Sequence, residues 1–430
     1  MNIYSMIEKW FFSMFYLFLG MSNNGELADA GGTTTRCGNV FITVSALKNS
    51  HIELNWENQC GKDDLTPARI ALYNKDIRTA NEKDVIMYDS VVAALYPKGM
   101  YRTNITFNKE TWPENWKYKS NTLQDEEGQN FPYWIVSFSN DDRIIDIQSL
   151  KLQPTWMNDN REKLKRHQIG DLVIPGTHDS GCYSGVLLFQ NYILTQDFSI
   201  WDQLVFGNRY LDLRIAFQHD GEFYINHDLI RVKKLEIVYR QIKEFITRSP
   251  SEIIVLDFHR FPYPTQWSHE LHEKFIKYTL DYFGDYVLPK NNNDGPKGPT
   301  LEQIWNSKKN IILAYGEKGY AETHPQLWNP VQQAWANTIN VSTLKQYLQN
   351  FMDSGSYKTT MFNALMAELT PRPIDIITSK NNLRQLANDV NPSLTKWVRD
   401  EWYGKVNIIA TDYFLGNNLI EVAIDVNRNR

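Results

Sequence analysis

Apolar and polar residues alternate in short runs from residue 31 to 155, and clusters of Asn, Asp, Gly and Pro separate these runs. A period of two is typical of strands with one buried face. The spacing therefore predicts a small all-β, sandwich-like domain over 31–155. No constellation of catalytic residue types occurs in it, so we interpret it as a structural or targeting module. The predicted strands are 41–44, 51–56, 69–73, 85–92, 100–107, 133–138 and 144–152.

Over residues 156–430 the pattern changes, because short apolar runs now alternate with longer segments of helical periodicity. This alternation predicts an α/β domain with a parallel sheet and helical crossovers. An open doubly wound sheet and a barrel both fit the periodicity. The predicted strands are 172–174, 210–215, 223–226, 253–258, 310–314, 360–365 and 406–410, and the predicted helices are 199–207, 234–248, 266–283, 301–307, 343–352, 382–402 and 419–426.

Residues 1–30 have the pattern of a secretory signal peptide. Lys9 precedes an apolar run over residues 10–21, which is too short to span a bilayer comfortably, and Ala28-Asp29-Ala30 supplies a cleavage pattern. No later segment approaches the roughly 20 apolar residues that a spanning helix needs. We therefore expect a secreted protein, peripheral at a membrane surface, with no spanning helix in the mature chain.

Net charge, cysteines and glycosylation sequons each give a further expectation. The net charge of −5 offers no basic surface for nucleic acid. Cys37 and Cys60 flank one predicted hairpin and could pair in an oxidising compartment, which leaves Cys182 as a buried free thiol. If the chain is exported, the sequons that begin at Asn104 and Asn340 become usable, which predicts a glycoprotein.

Polar side chains follow the first predicted strand of the α/β region. The strand leads into Pro175-Gly176, and His178 and Asp179 come next. We expect Pro175 to end the strand, since proline has no N–H for the ladder. In barrels of alternating strands and helices, the reacting groups lie at this end of the strands.

Asp212 and Arg214 lie two residues apart on the next predicted strand, so both side chains face the same side. An interior ion pair that merely fixes the sheet would explain them. Alternatively, Arg214 presents its planar pair of donors to a phosphate group.

Three further predicted strands end in the same way. One delivers His227 and Asp228, the next delivers Asp257, His259 and Arg260, and the last delivers Asp412 and Tyr413. Two histidines on neighbouring loops can flank one substrate, one taking a proton and the other giving it. A carboxylate such as Asp412 can orient one of them. The histidines do not have the spacing of a zinc site.

The run Ile174-Pro175-Gly176-Thr177-His178-Asp179-Ser180 resembles the opening signature of the phosphatidylinositol-specific phospholipase C X domain. The resemblance covers about residues 156–427 and is greatest to bacterial secreted enzymes and to animal X-domain proteins without a Y domain. It implies an irregular (β/α) TIM-type barrel. Calcium-dependent members carry two acids where this chain has Asp212 and Arg214, so the resemblance implies the metal-independent branch, with no cofactor.

The resemblance also implies a mechanism. His178, oriented by Asp412, takes a proton from the inositol 2-hydroxyl, which attacks the neighbouring phosphodiester to give a cyclic product. Arg214 neutralises charge on the phosphate oxygens. His227, paired with Asp179 or Asp212, protonates the leaving oxygen of a phospholipid at a membrane surface. His259, Arg260 and Tyr413 are the expected substrate contacts.

Two other functions stay open. One is a phosphodiesterase for another glycerophospholipid, which would usually need paired acidic metal ligands. The other is a secreted lipid- or partner-binding protein with a degenerate barrel. Asp228 favours the second, because the family usually has Gly after this histidine.

Overall fold

A computed structural model describes residues 40–57, 66–113, 116–118, 130–291, 294–355 and 361–430. These residues all fall within one compact unit, Cys37–Arg430. The predicted signal peptide, Cys37 and Cys60 lie outside the described residues. The predicted division near residue 155 stays a prediction.

In the described residues of the N-terminal part, seven strands form two antiparallel sheets, and all seven were expected from the alternation. The orders are β1-β2-β5 and β4-β3-β6-β7. Side chains such as Ile52, Leu72 and Ile135 are fully buried in one core that both sheets share. The strands are β1 (Val40–Val44), β2 (His51–Trp56), β3 (Arg69–Tyr73), β4 (Met87–Val92), β5 (Met100–Thr106), β6 (Asn130–Phe138) and β7 (Ile144–Lys151).

Among the residues that the structure describes, eight parallel strands form the sheet of the α/β region, in the order β14-β13-β12-β9-β8-β17-β16-β15. Within the described ranges no ladder joins β14 to β15, so the barrel is irregular and open there. The hairpin β10–β11 pairs antiparallel with β9. The strands are β8 (Ile174–Thr177), β9 (Tyr210–Phe217), β10 (Phe223–His227), β11 (Ile230–Lys234), β12 (Ile254–Tyr263), β13 (Ile311–Tyr315), β14 (Leu327–Trp328), β15 (Gln332–Trp335), β16 (Asn363–Met366) and β17 (Ile408–Thr411).

Helices connect these strands and cover the outside of the sheet. Their apolar faces are buried, as Val238, Ile242 and Phe245 are on the longest crossover before β12. The helices are α1 (Trp156–Asp159), α2 (Arg161–Leu164), α3 (Ile200–Phe206), α4 (Leu235–Arg248), α5 (His269–Phe283), α6 (Leu301–Ser307), α7 (Tyr320–Thr323), α8 (Val341–Asp353), α9 (Pro373–Ile377), α10 (Leu383–Lys396), a π-helical turn (Trp397–Trp402) and α11 (Leu419–Arg428).

Strand β8 continues through Pro175, so the expected end of the strand before the proline was wrong. The backbone of Ile174 bonds to Asn407, whereas the carbonyl of Pro175 faces the other neighbour and accepts from Arg209. The missing N–H of Pro175 points to that same side, where β9 begins only at Tyr210. Gly176 is required because a Cβ would lie 2.7 Å from Cβ of Tyr210.

Candidate active site

The strand registers bring the predicted ionisable residues to one level of the barrel mouth. Thr177 pairs with Leu211 on one side and with Thr411 on the other. The next residue of each strand path is therefore His178, Asp212 or Asp412, and side chains at paired positions face the same side of a sheet. All three are buried. The pairing of adjacent parallel strands is thus enough to bring His178, Asp212 and Asp412 together.

His178 and Asp412 form the expected pair. Nδ1 of the imidazole lies 2.8 Å from Oδ1 of Asp412. Asn391 donates to the backbone carbonyl of Asp412 at 3.0 Å, and Gln196 donates to that of His178 at 3.1 Å. The ring is therefore fixed in a geometry that suits an Nδ1–H donor and leaves Nε2 to face the mouth.

Arg214 is the central cation of the site. Its Nη1 lies 3.0 Å from Oδ2 of Asp179, and its Nη2 lies 3.4 Å from Oδ2 of Asp212. Nη2 also lies 2.8 Å from Nε2 of His178. The side chain is only 11% exposed. The carboxylates outweigh burial and hold the pKa of Arg214 above its ordinary value.

Two influences on His178 oppose each other. Burial disfavours its charged form, but Asp412 and Glu368 outweigh burial and raise the pKa of His178 to about 10. A guanidinium N–H only donates, so the 2.8 Å contact from Arg214 requires a lone pair on Nε2. In this contact the ring of His178 is a neutral imidazole that accepts at Nε2.

The two central carboxyls differ in their surroundings. Burial raises the pKa of Asp179 against the opposing charges of Arg214 and His227. Asp212 is also buried, but Arg214 and His178 outweigh burial and lower its pKa, and the backbone N–H of Asp179 donates to it at 3.1 Å. Asp212 is therefore the firmly ionised member of the pair.

His227 approaches the same carboxylate oxygen as Arg214, with its Nε2 at 3.5 Å from Oδ2 of Asp179. Its acidic partner is thus Asp179, one of the two that the sequence left open. Asp228 has φ of 47°, the left-handed region that favours Gly. Asp is among the side chains that tolerate this region. The substitution of Gly by Asp therefore keeps the turn that presents His227.

The three expected substrate contacts lie in different surroundings. His259 is partly exposed at the mouth, with its Nδ1 at 3.4 Å from Oδ2 of Asp257. Burial lowers the pKa of His259, but the negative charge of Asp257 outweighs burial and raises it above the ordinary value. Arg260 is exposed, with its guanidinium 5.5 Å from the ring centre of Trp335. Tyr413 is buried, and its hydroxyl donates to the carbonyl of Leu194 at 2.6 Å. Its placement fits support of the Asp412 loop better than contact with a substrate.

Glu368 was missed by the sequence analysis. It follows β16 by two residues and is 2% exposed, and neither carboxylate oxygen has a hydrogen-bond partner among the described residues. A lone acid just past an apolar strand end is the same signal that revealed His178 and Asp412. The predicted strand stopped at 365, one residue too early, which separated Glu368 from that pattern.

Cys182 is buried and free, as expected, and burial raises the pKa of its thiol well above the ordinary value. The described ranges contain no group of three or more His, Cys, Asp or Glu side chains arranged to hold a metal ion. Nor do they contain a helix of sufficient length and apolar character to traverse a bilayer.

Comparisons with known proteins bear on the fold and on the family resemblance. No family model matches the chain. PI-PLC X domain-containing protein 1 of Homo sapiens is 26% identical over 305 residues, which cover 64% of this chain and 92% of that protein. PI-PLC X domain-containing protein 2 of Mus musculus is 29% identical over 308 residues, covering 63% and 86%.

Among solved structures, a single-residue mutant of the phosphatidylinositol-specific phospholipase C from Staphylococcus aureus has a TM-score of 0.50 and 18% identity. It covers 64% of this chain and 96% of that one. The irregular barrel fold is confirmed by this likeness, and the resemblance to the X-domain family is confirmed by the curated relatives.

Proposed function

We propose that this chain, which resembles the phosphatidylinositol-specific phospholipase C X-domain family, is a phosphoric diester hydrolase that cleaves a phospholipid head group. The observation that carries the proposal is the position of Arg214, whose two terminal nitrogens reach Asp179, Asp212 and His178. His227 lies just beyond Asp179. A guanidinium that contacts one histidine and shares a carboxylate with the other is suited to a phosphate that an acid and a base both act on.

In the proposed reaction, Nε2 of His178 takes the proton of a head-group hydroxyl. That oxygen forms a bond to phosphorus, the bond from phosphorus to the lipid oxygen breaks, and His227 gives the departing oxygen a proton. In this structure Nη2 of Arg214 donates to the lone pair of His178 Nε2, so that this nitrogen cannot accept a proton. The phosphate must therefore draw Arg214 towards its own oxygens before His178 can act as a base. A neighbouring hydroxyl in the same head group gains from proximity.

Exposed apolar side chains around the mouth support a lipid substrate. Leu187, Leu188 and Phe189, on the loop after β8, are 92%, 73% and 66% exposed. Tyr192 of that loop donates to the carbonyl of Lys380 at 2.7 Å. This bond holds the loop beside α9, where Ile374 and Ile377 are also exposed. Contiguous apolar surface at the entrance of a site is typical of proteins that bind membranes.

Phosphorus NMR of the purified protein with phosphatidylinositol vesicles in excess EDTA tests the proposal. We expect loss of the diester signal and appearance of a cyclic phosphodiester. His178→Ala and His227→Ala should each lower turnover by about 10²-fold or more. His269→Ala is the matched control, since that histidine is exposed on α5. Activity that chelator abolishes and one added cation restores would contradict the role of Arg214.

Export is part of the proposal, because the signal pattern in residues 1–30 predicts it. Asn104 and Asn340 are both exposed, as a glycan requires. Mass spectrometry of protein from culture medium, before and after enzymatic removal of N-glycans, tests both points. We expect a mature chain that begins near Ala30, and a retained Met1 would contradict export by cleavage.

A further inference from the structure

We propose that Glu368 is a positioning residue that controls whether His178 is charged or neutral. Its effect on turnover rests on the proposed function, but its effect on His178 does not. The proposal rests first on where the fold places the carboxyl, then on what surrounds it.

The register of three adjacent strands places Glu368 at the level of the site. Met366 pairs with Ala410, and the N–H of Ala367 donates to the carbonyl of Ala410 at 2.9 Å. Extended by two residues, this register places Glu368 beside Asp412, and the β17–β8 register extended by one residue places Asp412 beside His178. Neighbouring strands are about 4.8 Å apart, so Glu368 and His178 start roughly 10 Å apart with side chains on the same face. Their side chains can cover most of that distance.

A second buried glutamate shows what is unusual about Glu368. Glu252 is fully buried, but it binds Arg209 at 2.6 and 2.9 Å and accepts the N–H groups of Met157 and Asn158. Both oxygens of Glu368, in contrast, are buried without a hydrogen-bond partner in the described part of the chain. An unsatisfied buried carboxylate is costly, so packing alone does not account for Glu368.

The charges that face Glu368 belong to the site. Burial is the main cause that raises the pKa of Glu368 to about 7. The negative charge of Asp412 also raises this pKa, whereas the positive charges of His178 and Arg214 lower it. An ionised Glu368 favours the imidazolium form of His178. A protonated Glu368 removes that attraction and favours the neutral ring that the contact with Arg214 requires. The protonation state of Glu368 thus sets the role of His178. With Glu368 ionised, His178 is a protonated acid; with Glu368 protonated, His178 is a neutral base.

Glu368→Gln tests this, because it removes the ionisable group with little change of shape. The pKa of His178 is read by NMR titration of protein with labelled histidine, and His178→Ala assigns the signal. We expect the pKa to fall by about one pH unit or more, as removal of a nearby negative charge predicts. Glu401→Gln is the control, since that exposed acid pairs with Lys345 and should leave the titration unchanged.

Glu368→Asp keeps the charge but withdraws it by one methylene, so we expect an intermediate pKa of His178. It also serves if Glu368→Gln does not fold. An unchanged titration in the folded variants would overturn the proposal, even if binding of an inositol phosphate weakened, because the carboxyl would then contact substrate instead. A shifted titration without lipid cleavage would refute the proposed function and leave the coupling intact.

The same coupling predicts the pH profile of turnover. The basic function of His178 is gained as pH rises through its pKa, so lowering that pKa moves the rising limb to lower pH. We expect Glu368→Gln to shift this limb in the direction and by the amount seen in the titration. A lower rate with an unmoved limb would indicate a structural role only.

Discussion

Replacing Arg214 with Met tests whether the site is held together by one buried cation. Arg214 is 11% exposed, and its partners Asp179 and Asp212 are 1% and 0% exposed. Met removes the charge, keeps much of the apolar stem and leaves two carboxyls facing each other. The variant is therefore expected to lose stability as well as activity.

The magnitude follows from the geometry. At the observed 3.0 Å, one ion pair is worth about 5 kcal/mol for an effective dielectric constant of roughly 20. Removing one partner of a buried pair typically costs about 3–5 kcal/mol. Protonation of Asp179 relieves part of this cost, so we expect a loss of about 3 kcal/mol in the free energy of unfolding near neutral pH.

The loss should depend on pH with a definite sign. In the native chain the pKa of Asp212 is held below its ordinary value of 3.8, so its stabilising effect is present above that value and is lost as pH falls through the lowered pKa. Without Arg214, burial raises the pKa of both carboxyls. Their ionisation then opposes folding as pH rises above 3.8. The deficit of the variant should therefore already be present near pH 4, where the native chain keeps the stabilising effect of Asp212, and should grow towards pH 7.

Urea unfolding of both proteins between about pH 4 and pH 7 measures this deficit. Arg78→Met is the control, because Arg78 pairs with Asp76 at 2.9 Å but is 54% exposed. Exposed pairs contribute at most about 1 kcal/mol. A deficit for Arg214→Met that stays constant across this pH range would refute the electrostatic account and indicate lost packing instead.

Two further predictions concern the rim. Leu188→Asp should weaken vesicle binding, measured by sedimentation with phosphatidylinositol vesicles, by about tenfold. The equally exposed Leu95→Asp, on the 3-10 turn that follows β4, should leave vesicle binding unchanged. Equal effects would show that the loop is not the contact. Asp228→Gly should keep full turnover and change the free energy of unfolding by less than about 1 kcal/mol, because the backbone of residue 228 has the positive φ that Gly adopts readily. A tenfold loss of turnover would mean that the Asp228 side chain takes part in the reaction.

Most strands and helices were predictable because their apolar residues recur with the period of a strand or of a helix over the whole element. The sequence analysis missed β11, β14 and β15. Ile230–Lys234 of β11 carries three basic residues, Leu327–Trp328 is only two residues long, and half of Gln332–Trp335 is polar. The predicted helix 382–402 divides into α10 and a π-helical turn at Lys396. Such changes of hydrogen-bond pattern leave no periodic signal.

The site was predictable where side chains follow strand ends and unpredictable where pairing between distant strands decides. His178, Arg214 and Asp412 were found because each directly follows or lies on an apolar run. The choice of Asp179 as partner of His227 depends on a left-handed turn at Asp179, with φ of 42°. The electrostatic influence of Glu368 on His178 depends on the β16–β17 register, which a single sequence does not contain.

The balance of charge at the mouth determines which substrates the site can accept. If Asp179, Asp212, Asp412 and Glu368 were all ionised, Arg214 alone could not offset them, and an anionic phosphodiester would be repelled. Burial raises the pKa of both Asp179 and Glu368, so these two carboxyls can hold protons that Asp212 cannot. Binding of a phosphate should favour those protonated forms. If the proposed function holds, protons act with Arg214 in admitting a phosphodiester, and the affinity for it should weaken as pH rises above about 7, where Glu368 ionises.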